Sequence, residues 1–244
     1  MINTESLQKY CSKFVGYGNL QSDIWFIGME EGGSGLVGEI EIRLTAWHQT
    51  HSPYAADMAM FHKKISIGHE FFSPQNAVIQ RTWNKLAETL LVISGIELPH
   101  REQRRAFQAH HLGRIDSNHA LLELLPIPAP NHRQWHLSTL NIPWMACRKT
   151  YESTWKCKRE LLLKSLIKEH RPKVVVMYGK GHFDAWNRIS NGCMISDEQS
   201  NIFSGVDAAT LYIALPHPRT SRLERWREVG LMASRFINGK SGVE

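Results

Sequence analysis

Two loops of this chain hold most of the side chains that could carry out acid–base chemistry. The first loop, Gly28-Met29-Glu30-Glu31-Gly32-Gly33, places two carboxylates among glycines. The second loop, Pro216-His217-Pro218-Arg219-Thr220-Ser221-Arg222, holds a histidine, two hydroxyls and two arginines. Carboxylates and histidine can exchange protons with a substrate, and glycine lets the backbone approach a ligand with its N–H groups as donors. Taken alone, the first loop is also compatible with an ordinary surface turn.

Each loop follows a short apolar run that predicts a strand. Residues 24–27 and 211–215 are such runs, so both loops are expected at the carboxyl ends of strands, where open α/β sheets bind ligands. Further strands are predicted at 118–126 and 172–179, and helices at 4–14, 75–95, 154–170 and 223–237. This alternation predicts one α/β domain over residues 1–244, a three-layer α/β/α sandwich around a mostly parallel sheet.

Four stretches lack a clear apolar period. Residues 34–74 predict a long insertion rich in histidine and aromatic residues, which is more often functional than idle. Metal binding by its histidines stays open, although their spacing matches no standard site. Residues 101–113 are basic and predict a solvated connector that can also meet phosphates. Residues 16–19 predict a turn, and residues 140–144 predict a loop.

Composition limits the class of partner. The net charge is +6 and the isoelectric point is about 9.2, which favours a polyanion such as DNA. The four cysteines are scattered without a C-x-x-C spacing, so we expect no metal or other cofactor and a reduced, cytoplasmic setting. No apolar run approaches the roughly 20 residues of a membrane span. We expect a monomer that does not enter a membrane.

Together the two loops resemble the active-site motifs of the uracil-DNA glycosylase superfamily. In that superfamily a Gly-x-Asp-Pro or Gly-Met-Asn-Pro-Gly loop follows the first strand, a His-Pro-Ser loop follows the last strand, and both flank a flipped-out base. The order of elements resembles the superfamily over most of residues 17–236, and the motif resemblance is specific to the two loops. It implies a DNA glycosylase that cleaves the N-glycosidic bond and leaves an abasic site.

The resemblance implies a role for one acid and one histidine. Glu30 falls where the superfamily has its water-activating Asp or Asn, and His217 matches the histidine that donates to O2 of the leaving base. Glu31 replaces the usual proline, which leaves open which of the two acids acts. Another branch places its catalytic glutamate directly after the glycine, where this chain has Met29. Solvated loop acids and a structural histidine between prolines are the alternatives.

The second loop is expected to contact the DNA backbone. In the superfamily this loop presses on the strand and fills the gap left by the flipped nucleotide. The matching residues lack a large apolar side chain, so one of the two arginines, or Leu223, would fill that gap. The candidate DNA-binding residues are Arg219, Thr220, Ser221 and Arg222.

Departures from the superfamily pattern suggest the base. Gly32 stands where the uracil-specific branch has a tyrosine that rejects thymine, so the pocket should admit a C5 substituent. Glu123 stands where the superfamily has a base-reading asparagine, and an ionised carboxylate suits the exocyclic amine of cytosine. An error of register, with Glu123 pairing with a surface cation, is the alternative. Phe72 or Phe71 would stack on the base, unless both rings are core, and Met29 completes the base-binding set.

These residues favour excision of a 5-modified cytosine, such as the glucosylated hydroxymethylcytosine that anti-phage members of the superfamily remove. A uracil or mismatch repair glycosylase is the runner-up. A catalytically inactive member that only binds DNA is the alternative from another class. A nucleotide-binding protein is weaker still, because the chain has no Gly-x-Gly-x-x-Gly or phosphate loop.

Overall fold

A computed structural model of the chain describes residues 2–131, 134–197 and 201–239. Its centre is an eight-stranded sheet in the order β3-β1-β4-β2-β5-β8-β7-β6. The strands are β1 (Gly16–Gly18), β2 (Ile24–Gly28), β3 (Ala55–Ala56), β4 (His119–Glu123), β5 (Val174–Tyr178), β6 (Ile195–Asp197), β7 (Ile202–Asp207) and β8 (Thr210–Leu215). The central strands β4, β2, β5 and β8 run parallel, whereas β1 is antiparallel to β4 and β7 is antiparallel to β6 and β8.

Eight helices flank this sheet within the described residues, and the predicted three-layer α/β/α sandwich is confirmed. They are α1 (Thr4–Lys13), α2 (Val37–His48), α3 (Met58–Ile65), α4 (Arg81–Ile93), α5 (Arg101–His110), α6 (Arg148–His170), α7 (Phe183–Ile189) and α8 (Leu223–Ile237). Short 3-10 turns occur at His69–Phe72, His136–Leu140, Pro143–Met145 and Lys180–His182.

The central strands are largely apolar because helices cover both of their faces. Every residue of β2, β5 and β8 is buried. Parallel strands covered on both sides read as continuous apolar runs, which is why the sequence identified them. The predicted strands at 24–27, 118–126, 172–179 and 211–215 are therefore confirmed, with bounds one to three residues different.

The predicted helices are confirmed with different starting points. The last helix begins and ends as predicted, but α4 begins at Arg81 rather than at 75, because the Gln80 side chain caps it by accepting the Trp83 N–H at 2.8 Å. Helix α6 begins at Arg148 rather than at 154. Its first turn is polar, so the leucine pattern of its later turns did not extend to its true start.

The segment 34–74, which was predicted as a long insertion without a clear apolar period, contains regular secondary structure. It forms α2, β3, α3 and a 3-10 turn. The buried face of α2 combines Ile40 and Leu44 with the charged residues Glu39 and Arg43. Because two of the six buried residues of α2 are charged, this part of the segment shows no clear apolar period in the sequence.

Residues 101–113 were predicted as a solvated connector, and the structure corrects this prediction. Most of the stretch is helix α5, which begins with a capping box between His100 and Gln103. Arg104 and Gln108 are buried, and the Arg104 guanidinium binds Glu88 of α4 at 2.9 Å. Polar partners, rather than apolar burial, hold this helix, so the hydrophobic pattern could not reveal it.

Three smaller elements also differ from the sequence-based prediction. Residues 16–18 form β1 at the side of β4 instead of a turn. Residues 140–144, predicted as a loop, connect the end of one 3-10 turn at Leu140 with the next, which begins at Pro143. Strands β6 and β7 were not predicted at all. They lie at one side of the sheet, where β7 is only partly buried and its apolar pattern is weak.

The described part of the chain contains no helix that is both long and apolar enough to cross a membrane. All four cysteines are free thiols, of which Cys11 is buried and Cys147 and Cys157 are exposed. Among the described residues there is no group of three or more His, Cys, Asp or Glu side chains that could hold a metal ion.

We expect Glu88→Ala to destabilise the fold strongly. The fully buried Glu88 carboxylate holds Arg104 of α5 and Arg227 of α8, at 2.9 and 2.8 Å. Removing it leaves two partly buried guanidinium groups without their partner, which costs about 3–5 kcal/mol. Urea unfolding monitored by circular dichroism measures this loss.

The matched control is Glu5→Ala, whose exposed carboxylate pairs with Lys9 at 2.8 Å within α1. This control should leave the unfolding midpoint unchanged, because exposed ion pairs contribute little. Equal losses in the two variants would contradict the importance of the buried cluster.

Candidate active site

The carboxyl ends of the four central parallel strands meet at one edge of the sheet. Gly28 at the end of β2 is the register partner of Glu123 at the end of β4. Tyr178 ends β5 and is the register partner of Leu215, which ends β8. His217 follows β8, and its ring meets the Tyr178 ring edge-on with centroids 5.8 Å apart. The two loops singled out by the sequence therefore lie at the same edge, separated by β5.

Gly28 allows the side chains of the two neighbouring strands to close over the end of β2. A Cβ atom at this position would lie 2.4 Å from Glu123 Oε2 and 2.6 Å from the Tyr178 hydroxyl oxygen. Both contacts are far below van der Waals distance, so any larger residue would push Glu123 and Tyr178 apart. The glycine after the first strand therefore has a steric role at the centre of the site.

Glu30 is held by an arginine that the sequence analysis did not identify. Arg148 is the first residue of α6, and its Nη2 lies 2.5 Å from Glu30 Oε2. The two side chains are 11% and 9% exposed, and Arg148 Nε binds Glu152 at 2.6 Å. Burial lowers the pKa of Arg148, but Glu30 and Glu152 outweigh it and raise that pKa overall. The Glu30 carboxylate is thus paired with a permanent cation.

Glu31 is engaged at both oxygens by the buried Arg43. Arg43, 1% exposed, donates to Oε2 at 2.9 Å and to Oε1 at 3.0 Å, and its Nε donates to Glu39. The Tyr17 hydroxyl donates to Glu31 Oε2 at 2.7 Å, and His62 Nε2 lies 3.4 Å from Oε1. Burial raises the pKa of Glu31, but Arg43, His62 and Tyr17 together hold that pKa below its ordinary value.

This network bears on the open choice between the two loop acids. Arg43 comes from α2 and His62 from α3, two helices that the sequence analysis did not foresee. Their side chains hold the Glu31 carboxylate. Arg148 at the start of α6 holds Glu30. Each loop acid is thus paired with an arginine from a different helix.

Glu123 differs from the two loop acids because its carboxyl group lacks a cation of its own. Its Oε2 is buried with no hydrogen-bond partner of good geometry among the described residues, although the Tyr178 hydroxyl lies beside it. Burial and the nearby charges of Glu31 and Glu30 raise the pKa of Glu123 well above its ordinary value. Glu123 therefore binds a proton more readily than an ordinary glutamate does, and its role in reading the base stays a prediction.

The His217 loop is held by backbone contacts. The Arg219 N–H donates to His217 Nδ1 at 3.1 Å, so Nδ1 is an acceptor and the proton of the neutral ring is on Nε2. Lys85 of α4 donates to the carbonyl oxygens of Pro218 and Ser221. Burial lowers the pKa of Lys85. Lys85 is a further residue that sequence reasoning missed, since nothing in α4 marks it.

The four candidate DNA-binding residues do not all face outward. Arg219, Thr220 and Arg222 are exposed, but Ser221 is buried. The Ser221 hydroxyl donates to the His217 carbonyl oxygen at 3.1 Å and accepts from Trp226 Nε1 at 2.7 Å. Ser221 thus shapes the loop, and the two arginines present its positive charge.

The remaining base-binding candidates lie within the first loop or close to it. Met29 is 8% exposed, and a Cβ atom at Gly32 would meet no atom within 4 Å. The half-buried Phe72 ring lies 5.4 Å from the ring of His62, which itself faces Glu31. Behind Phe72 is an open groove of about 550 Å³. It is lined by Ala59, Met60, Lys63, Ser66, His69, Phe72 and Arg114.

Comparison with known sequences assigns neither a family nor a function to this chain. No protein-family model matches the chain, and no curated protein matches it in sequence. A function has to be inferred from the site and from the residues of the two loops.

We expect Glu31→Gln to destabilise the protein in a pH-dependent manner. Since the pKa of Glu31 is lowered in the folded state, its stabilisation is present at neutral pH and is lost as the pH falls below about 4. The variant should lose about 1.5–3 kcal/mol near pH 7, because the buried Arg43 loses one of its two carboxylate partners and keeps only Glu39.

Denaturant unfolding of both proteins at about pH 7 and about pH 3 measures this difference. The gap between wild type and variant should narrow at the acid pH. A gap of constant size would contradict the ion pair as its source.

Proposed function

We propose that this protein is a DNA glycosylase that cleaves the N-glycosidic bond of a flipped-out pyrimidine and leaves an abasic site. The favoured substrate is a 5-modified cytosine, such as glucosylated 5-hydroxymethylcytosine in phage DNA. The observation that carries the proposal is the meeting of the Glu30 loop and the His217 loop at one edge of the sheet, with Tyr178 between them. These are the two loops that resemble the uracil-DNA glycosylase motifs.

Cleavage of this bond passes through a positively charged, oxocarbenium-like sugar and a departing base. A carboxylate near C1′ balances the positive charge and positions the attacking water, and Glu30 is the candidate for that role. A donor near O2 of the base stabilises the negative charge that develops there. His217 suits this role, because its Nδ1 accepts the Arg219 N–H and its Nε2 carries the proton in the neutral ring.

The choice of base rests on the space at Gly32 and on the residue at Glu123. The open space around Gly32 supports a pocket that accepts a substituent on C5. Glu123 lies across from Gly28 in the register of the sheet, beside the Glu30 loop. Phe72 is the candidate for stacking on the flipped base.

Binding to DNA would depend on exposed positive charge near the site. Arg219 and Arg222 lie on the His217 loop, and the net charge of the chain is +6. Contacts from arginine to phosphate add affinity that depends on salt and not on sequence. Such contacts would hold the strand while the base is extruded.

A DNA-binding protein without catalytic activity is the second candidate. One observation favours it: both loop acids are already paired with arginines, Glu30 with Arg148 and Glu31 with Arg43. Such pairing lowers the basicity of a carboxylate toward water. This candidate predicts salt-sensitive binding to DNA without formation of abasic sites.

The test is alkaline cleavage of labelled DNA after incubation with the protein. The strands carry uracil, 5-hydroxymethylcytosine or glucosylated 5-hydroxymethylcytosine at one position. We expect cleavage of the modified-cytosine strands and a loss of at least about 100-fold in Glu30→Gln, because the charge that stabilises the sugar cation is removed.

Glu97→Gln is the matched control, since Glu97 is exposed and is remote in sequence from both loops. It should cleave like the wild type. Cleavage of uracil alone would favour the repair glycosylase, and binding without any cleavage would favour the non-catalytic protein.

Removing the two exposed arginines tests the binding surface separately. Arg219→Ala and Arg222→Ala should each weaken DNA binding about equally for all sequences and reduce the slope of log affinity against log salt by about 1. Lys173→Ala is the control, because Lys173 precedes β5 and lies at the opposite edge of the sheet. Fluorescence anisotropy over a salt series measures the slopes, and an equal effect of Lys173→Ala would contradict this surface.

A further inference from the structure

The carboxyl group of Glu123 has one oxygen inside the protein and one toward the site. Oε2 is buried beside the Tyr178 hydroxyl, above the Cα of Gly28. The side chain as a whole is only partly buried, and Oε1 is not among the buried atoms that lack a partner. Oε1 is therefore the oxygen that a base entering between the two loops would meet.

The charges around Glu123 favour the neutral carboxylic acid. Glu30 and Glu31 face it from the loop after β2, and each holds an arginine of its own. Arg159 of α6 lies nearby, but its guanidinium donates to the backbone carbonyl oxygens of Glu123 and Leu124, both at 2.9 Å. The Tyr178 hydroxyl and Arg159 lower the pKa of Glu123 less than burial and the two acids raise it.

A neutral acid at this position would help cytosine to depart, and uracil needs this help less. A departing uracil spreads its negative charge over two carbonyl oxygens. A departing cytosine has an amino group at C4 instead, so its anion is a poorer leaving group. Protonation of the N3 lone pair turns it into a neutral leaving group, and a positioned general acid provides such a proton with a gain of about 10²–10⁴ in rate.

We propose that Glu123 is the general acid that protonates N3 of the departing cytosine, and that Tyr178 is the residue that positions it. This inference rests on the proposed glycosylase function and adds a catalytic role to the residue that was expected only to read the base. In this proposal the nearby Tyr178 hydroxyl donates toward Oε2 and keeps that oxygen an acceptor, so the proton to be transferred is carried by Oε1. Glu123 thereby favours cytosine over uracil, because protonation of N3 makes cytosine a better leaving group.

The step balances in atoms and electrons. Glu30 takes a proton from water while the water oxygen forms its bond to C1′. The bond between C1′ and N1 breaks, its electron pair goes to N1, and the Glu123 proton moves to N3. The products are an abasic sugar with a hydroxyl on C1′, a neutral cytosine base, a protonated Glu30 and an ionised Glu123. One proton then returns from Glu30 to Glu123 through solvent.

The first experiment looks for the acid itself. Infrared difference spectra of wild type against Glu123→Gln, recorded over a pH series, should show the C=O band of a carboxylic acid at neutral pH that is absent from the variant. Tyr178→Phe should keep the band to higher pH, because the tyrosine hydroxyl lowers the pKa of Glu123. A wild-type protein without the band at neutral pH would overturn the proposal without any measurement of activity.

The second experiment tests whether the cleavage rate depends on pH in the same way as the C=O band. Single-turnover cleavage of a 5-hydroxymethylcytosine strand should fall about tenfold per pH unit above the pH at which the band disappears. Glu123→Gln should lose about 100-fold on this strand and much less on a matched 5-hydroxymethyluracil strand, so that the ratio of the two rates changes. Tyr178→Phe should move the alkaline limb to higher pH, which a merely structural role of Tyr178 would not do.

The outcomes separate the two proposals. If the wild type cleaves the modified cytosine and Glu123→Gln keeps that rate, or loses equally on both strands, the general-acid role is overturned and the glycosylase stands. If the wild type cleaves neither strand, the proposed function fails and the general acid falls with it. Should Glu123→Gln not fold, the wild-type band and the Tyr178→Phe profile still decide the question.

Discussion

Three carboxyl groups, those of Glu30, Glu31 and Glu123, lie at the ends of two adjacent strands, and a partly buried sheet edge cannot hold three negative charges without compensation. Arg148 neutralises Glu30 and Arg43 neutralises Glu31. Two ion pairs compensate two of the charges, whereas burial and the neighbouring acids raise the pKa of the third carboxyl group, that of Glu123. The packing of the helices that carry these arginines therefore influences the chemistry at this edge of the sheet.

The two arginines that compensate these charges come from different helices. Arg43 reaches Glu31 from α2, which packs on α3 and brings His62 to the same carboxylate. Arg148 reaches Glu30 from the start of the long helix α6, where its guanidinium also lies 5.8 Å from the centre of the Trp135 ring. The position of the Glu30 loop is therefore set from both sides by helices, and the strand alone could not fix it. On the other side of β5, Lys85 of α4 holds the His217 loop in the same manner.

The sequence-based prediction succeeded where the physical signal is local. The runs at 24–27 and 174–178 are continuous and apolar because both of their faces are covered, and such runs are visible in a single sequence. It failed where the signal is shared between distant residues. Helix α2 buries Arg43 and Glu39 in place of apolar side chains, and α5 buries Arg104 against Glu88, so neither helix shows the period that a buried face normally produces.

For the candidate site, the sequence by itself determined the two loops and their placement after strands, because residue type and chain neighbours decide both. It also identified Glu30 and His217 as candidate catalytic residues and Glu123 as a residue that would read the base. Only the tertiary structure decided that Arg43, His62 and Tyr17 hold Glu31, that Tyr178 stands between the two loops, and that the pKa of Glu123 is raised. These properties depend on charges and burial supplied by α2, α3 and α6, and Coulomb interactions act through space between residues that are far apart in the chain.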